Sequence, residues 1–149
     1  YGLEAASGVR AWLESKGRGF DMRVARVPIV PAAVIFDLHI GKASARPDKG
    51  MGLAAAAAAN NGAVAEGNVG AGTGATVGKI LGIGHAMKGG VGTATVALSG
   101  PMQGVLVSAL VVVNAVGDVR DPASGRILAG ARQALDSREF LNTAEARKR

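Results

Sequence analysis

Cysteine is absent from the 149 residues. Neither a disulfide framework nor a thiolate metal site is available. A reducing compartment is permitted, and the expected location is cytoplasmic. His39 and His85 are the only histidines, too few for a three-histidine zinc site, and neither a metal nor a cofactor is expected. Aromatic residues make up only 3%, so no stacking platform for bases exists. Lysine and arginine exceed acidic residues by 17 to 11. Part of that excess is terminal (Arg147, Lys148, Arg149), and Arg10, Lys16, Arg18, Arg23 and Arg26 are dispersed. The pattern reads as solvated faces rather than a nucleic-acid surface. The longest strongly apolar run, Val105 to Val116, contains Ser108 and Asn114 and is too short to span a bilayer. The first residue is Tyr1 rather than Met, which suggests a fragment or a processed chain.

What the chain does have is small side chains. Hydrophobic residues make up 48% and glycine supplies 23 positions. A soluble globular fragment, one domain over 1–149, is expected, with many glycines in turns and close approaches. Leu3 to Lys16 carries Leu3, Ala6, Val9 and Leu13 at near-helical spacing, with Gly17 as a stop. Met22 to Val27 alternates like a strand, and Ala32 to Leu38 reads as a buried one. Pro47 and Asp48 precede a second helix over Met51 to Asn60, built on six consecutive alanines. Thr93 to Leu98 and Val105 to Val116 read as a hairpin. The charged stretch 131–149 reads as a frayed helix or a disordered tail.

Gly67 to Gly92 holds ten glycines in 26 residues. A flexible linker would carry Ser and charge; this segment carries Val69, Val77, Ile80, Leu81, Ile83 and Met87, so it is expected to be packed. Gly70 to Ala75 fits G-x-G-x-x-A, but it lacks the preceding strand and the following acid of a dinucleotide site. Lys79 after Gly78 lacks the Ser or Thr of a phosphate loop. Glycines around a single lysine still leave backbone N–H groups that could face an oxyanion; the alternative is tight turns with a solvated Lys79. Asn114 lies in an apolar strand and must find partners, either as a structural amide or as a donor to a substrate carbonyl. His85 has no carboxylate or serine at triad spacing, and Ser7, Ser99 and Ser108 lack a nucleophile-elbow setting.

Several blocks, in order, resemble one family. They are Tyr1-Gly2-Leu3-Glu4-Ala5 with Gly8-Val9; Val30 to Asp37; Arg46-Pro47-Asp48-Lys49 with Gly52; Glu66 to Lys79; Met87 to Ala94; and Val113 to Asp118. Together they are similar to the DmpA-type aminopeptidases and nylon-oligomer hydrolases, which cut their own chain once. The resemblance implies a four-layer α/β/β/α sandwich of which this chain is one part. It implies amide or peptide hydrolysis by an N-terminal Ser or Thr nucleophile, whose free amine can act as base. That nucleophile would sit beyond Arg149, on a second, smaller chain from the same precursor, in a homo-oligomer of heterodimers. The residues the resemblance carries over are Tyr1 near the active site, Lys79 of the glycine-rich block and Asn114 at the oxyanion. The stretch Ile80 to Ala86 departs from the aminopeptidase branch. Alternative functions are an acyltransferase like ornithine acetyltransferase, a non-catalytic homologue, and a basic binding module.

Overall fold

A computed structural model describes residues 1–148. The chain is mixed α/β, with short two-stranded sheets and few helices. Two compact units form: Tyr1–Ile35 with Lys42–Ala63, and Phe36–Gly41 with Val64–Arg149.

In the first unit, α1 (Gly2–Ser15) closes against α2 (Lys49–Ala58). Asp48 caps α2 by accepting the Met51 N–H at 2.8 Å, satisfying one of the helix's free donors. The contact between the helices is made by backbone. Gly8 and Gly52 are the buried residues of their helices. A Cβ on Gly52 would collide with the Ala5 carbonyl, and one on Gly8 with the Lys49 carbonyl. Glycine weakens a helix by roughly 1 kcal/mol relative to alanine, and here that penalty is the condition for close approach. The expected strand over Met22 to Val27 is shorter than its alternation suggested. Only β1 (Phe20–Asp21) and β2 (Arg26–Val27) pair, because Asp21 turns the chain by accepting the Arg23 N–H, with Arg23 at φ 69°.

The apolar run from Ala32 to Leu38 was expected to be a buried strand and is not one. Val34 and Phe36 stay 57% and 63% exposed. A strand needs a hydrogen-bonding neighbour, and among the described residues none pairs with this run.

The second unit is organised by a long antiparallel hairpin of β5 (Gly90–Ala97) and β6 (Leu106–Val113), in register from Gly90 opposite Val113 to Ala97 opposite Leu106. Its place was expected from the sequence; its base begins earlier, at Gly90, and Asn114 follows the last strand residue. The glycine-rich segment packs against that base. It contains β3 (Thr76–Val77), paired with β4 (Met87–Lys88), and Gly67 bridges to Val91. Glu66 secures the entry by accepting the Thr93 N–H and hydroxyl at 2.7 and 2.6 Å. Those bonds hold its carboxyl below the usual carboxylate range.

The buried apolar centre is small: Ala75, Val77 and Ala131. Ala131 belongs to the stretch expected to be frayed or disordered. That stretch instead forms β9 (Ala131–Arg132) and β10 (Phe140–Leu141), which pair, and the short α3 (Thr143–Ala146), after the hairpin of β7 (Val119–Arg120) and β8 (Ile127–Ala129). What anchors it is Asp118, whose side chain is 2% exposed. Its carboxylate accepts the Thr143 N–H and hydroxyl at 2.9 and 2.7 Å.

Because α1 and α2 meet through glycine backbone, Gly8→Ala and Gly52→Ala should each destabilise the protein by roughly 1–3 kcal/mol, although alanine is the better helix former. At Gly50 the nearest obstacle to a Cβ is the Asp48 side chain at 3.3 Å, so Gly50→Ala should not lower the melting temperature. Equal melting temperatures for all three variants would contradict the close crossing.

Candidate active site

The glycine-rich segment brings Lys79 to the base of the hairpin. Gly78, at φ 70°, lies so close to the Gly130–Ala131 backbone that any Cβ would collide with it. That close approach fixes β3 and the residue after Gly78. The Gly78 and Lys79 N–H groups donate to Gly117 O and Val116 O, each at 2.8 Å. Lys79 thereby faces Asn114 across two adjacent strands of chain.

Lys79 Nζ has three N–H bonds and three acceptors: Thr76 O at 2.9 Å, Thr76 Oγ1 at 3.2 Å and Asn114 Oδ1 at 2.7 Å. Asn114 Oδ1 also accepts the Thr76 N–H at 3.1 Å. An ammonium and a backbone N–H are donors only, so they fix which end of the amide is oxygen. The nitrogen end then points the other way, and Nδ2 donates one hydrogen to Phe36 O at 3.3 Å. Its second hydrogen has no protein acceptor among the described residues. Burial disfavours the charged amine, so Lys79 loses its proton below the ordinary lysine range. Between the lowered native value and the unfolded one, the unfolded chain binds more protons, so this residue makes stability rise with pH across that window.

These groups floor an open cavity of about 450 Å³ that also presents Asp37, His39 and Val116. Two of the three residues singled out from sequence, Lys79 and Asn114, are thus in direct contact. Tyr1 belongs to the first unit, where the Arg46 guanidinium stacks over its ring at 3.9 Å. The backbone N–H groups of Thr76, Gly78 and Lys79, raised above as anion donors, are spent on internal bonds. His85 is tied by Nδ1 to Arg132 O at 2.8 Å, a structural role. Sequence reading missed Thr76, 4% exposed, and Asp37. The available signal was a hydroxyl three residues before the lysine and an acid ending an apolar run.

The cavity floor therefore offers one amide N–H without a protein acceptor among the described residues, beside a partly buried cation, a suitable arrangement for a developing carbonyl anion. Comparison with known sequences gives the class. The chain belongs to peptidase family S58, whose pattern matches residues 1–138. It is 51% identical over 125 residues to an uncharacterised aminopeptidase of Mycobacterium tuberculosis (strain ATCC 25618 / H37Rv), covering 84% of this chain and 33% of that protein. It is 50% identical over 133 residues to an uncharacterised aminopeptidase of Mycobacterium leprae (strain TN), covering 84% and 34%. The chain thus spans about a third of the length of these relatives. Among the described residues no helix is long and apolar enough to cross a membrane, and no group of side chains is arranged to hold a metal ion.

Thr76→Val keeps the shape but removes one acceptor from Lys79, and should cost roughly 1–3 kcal/mol of stability. Lys79→Met removes the charge from the same network. The double variant should be less destabilised than the sum, with a coupling of roughly 0.5–3 kcal/mol in urea unfolding. Simple additivity would show that Thr76 and Lys79 act separately.

Proposed function

We propose that this chain is the non-nucleophilic part of an amide- or peptide-bond hydrolase of aminopeptidase type, and that Asn114 is its oxyanion donor. The observation that carries the reading is the unsatisfied Nδ2 hydrogen of Asn114 in the cavity, in a chain of peptidase family S58. A tetrahedral intermediate needs a preorganised donor at its oxygen. Asn114 is preorganised because three bonds from Thr76 and Lys79 hold its oxygen end. Lys79, with all three N–H bonds occupied, acts through Asn114: its charge on Oδ1 draws electron density from the amide and strengthens Nδ2–H as a donor.

In this reading the nucleophile is an N-terminal Ser or Thr, released by self-cleavage and carried on a second, smaller chain of the same precursor. The pair assembles as a homo-oligomer of heterodimers in a four-layer α/β/β/α sandwich. The hairpin supports the layers. Leu106 and Val107, and again Leu110 and Val111, are neighbours in sequence and 51–65% exposed. Successive strand residues face opposite ways, so both faces of the hairpin are apolar and call for cover.

Asn114→Ala should lower turnover of an amide substrate by roughly 10²–10³-fold, with the melting temperature falling far less. Wild-type activity with a collapsed melting temperature would make Asn114 structural. Turnover should also decline at alkaline pH, below the ordinary lysine range, as the ammonium on Oδ1 loses its proton. Intact-mass and N-terminal analysis of the native protein should find a smaller copurifying polypeptide beginning with Ser or Thr; a stable protein without one would refute the two-chain reading.

A further inference from the structure

We propose that Ile83 is a specificity-determining residue that limits the size of the apolar side chain a substrate can place beside its scissile carbonyl. The proposal rests on the hydrolase reading and adds the residue that selects among its substrates.

Ile83 lies in the stretch Ile80 to Ala86, which leaves Lys79 and folds back at once. The Gly82 N–H donates to Lys79 O at 2.9 Å, with Gly82 at φ 92°. The His85 and Ala86 N–H groups donate to Gly82 O and Ile83 O, each at 3.2 Å. The far side of the stretch is tied to residue 132 in both directions. The Arg132 guanidinium donates to Gly84 O at 2.7 Å. His85 Nδ1 donates to Arg132 O at 2.8 Å, since a carbonyl only accepts. Ile83 is therefore held between Lys79 on one side and Arg132 on the other. Its own side chain is β-branched and stiff at χ1. A residue that selects by size must be unable to yield, and support from both sides provides that.

Despite this anchoring, the Ile83 side chain stays 40% exposed and lines the cavity that holds Lys79 and Asn114. Phe36, Ile40 and Val116 line it as well. The cavity thus has a polar floor and apolar walls. The N–H bonds of Lys79 are directed to Thr76 and Asn114, so the floor's cation does not compete for the wall. An apolar wall facing water is unfavourable, and covering it with an apolar group is the favourable change. A substrate whose carbonyl oxygen lies toward Asn114 carries its adjoining side chain within the same cavity. Apolar pockets distinguish side chains differing by one methylene by about 10–200-fold, and the low end applies to a cavity as open as this one.

The test uses the full-length protein and two probes that differ only in side chain, the p-nitroanilides of L-alanine and L-leucine. The readout is the ratio of kcat/KM for leucine over alanine, which cancels any loss of folded protein. In Ile83→Ala that ratio should rise about 10-fold, and in Ile83→Phe it should fall by a similar factor. A ratio unchanged in both variants, or shifted the same way in both, overturns the assignment. Calorimetric binding of L-alaninamide and L-leucinamide gives the same comparison without turnover. No wild-type turnover, with a binding ratio that still shifts in opposite directions, counts against the hydrolase reading alone. A binding ratio that does not shift, or no binding of either amide, counts against Ile83 whether or not the protein hydrolyses anything.

Discussion

Asn114 uses both ends of one amide to join three stretches of chain. Its oxygen receives Thr76 and Lys79 from the glycine-rich segment, and its nitrogen donates to Phe36 from a turn 78 residues earlier. The cavity exists between those stretches. Without the oxygen as acceptor, the Lys79 ammonium would lose its shortest bond, and a partly buried ammonium without compensation is unfavourable. Without the lysine, the amide could rotate, and its donor end would no longer be specified. The two residues define each other's orientation, which is how a cooperative polar network becomes rigid.

Glycine makes that network possible by removing side chains where backbones must touch. Gly78 lets the glycine-rich segment lie on the Gly130–Ala131 backbone, and this contact aims Lys79. Close packing has a chemical consequence. When backbone lies on backbone, its N–H groups find carbonyl partners, and next to Lys79 those of Gly78 and Lys79 are spent in this way, while the Thr76 N–H goes to Asn114. In the proposed function, anion recognition falls instead to the side-chain amide of Asn114.

Local signals predicted the elements they control. The helical spacing in α1, the alanines of α2 and the turn before it, and the apolar run of the hairpin were all legible, because each depends on neighbours in sequence. The order of Gly67 to Gly92 was legible too, from apolar residues that a linker would not carry. Elements that depend on distant partners were not. Ala32 to Leu38 has the composition of a strand but no neighbour to pair with. The stretch after Gly130 looked charged and loose, yet a buried carboxylate 25 residues before Thr143 holds it in place. Of the cavity, Lys79 and Asn114 stood out as polar residues in apolar or glycine-rich surroundings, and family resemblance brought them together. Thr76 and Asp37 carry only weak local signals; the fold is what brings them to the cavity.

The distribution of apolar surface bears on what this chain does. Almost half of its residues are hydrophobic, yet the fully buried apolar side chains among the described residues are Ala75, Val77 and Ala131. All three lie where the glycine-rich segment meets β9 and the hairpin base. Burial supplies the main favourable term in folding, at roughly 25 cal/mol per Å², so this unit concentrates its own stabilisation around the glycine-rich segment. The outer part of the hairpin, from Val96 to Leu110, remains apolar and exposed. A chain that packs tightly around its polar centre while leaving apolar strands open is suited to completing a site together with further protein. That distribution accords with the proposed two-chain reading, in which Asn114 would stabilise the anion and a covering chain would supply the attacking group.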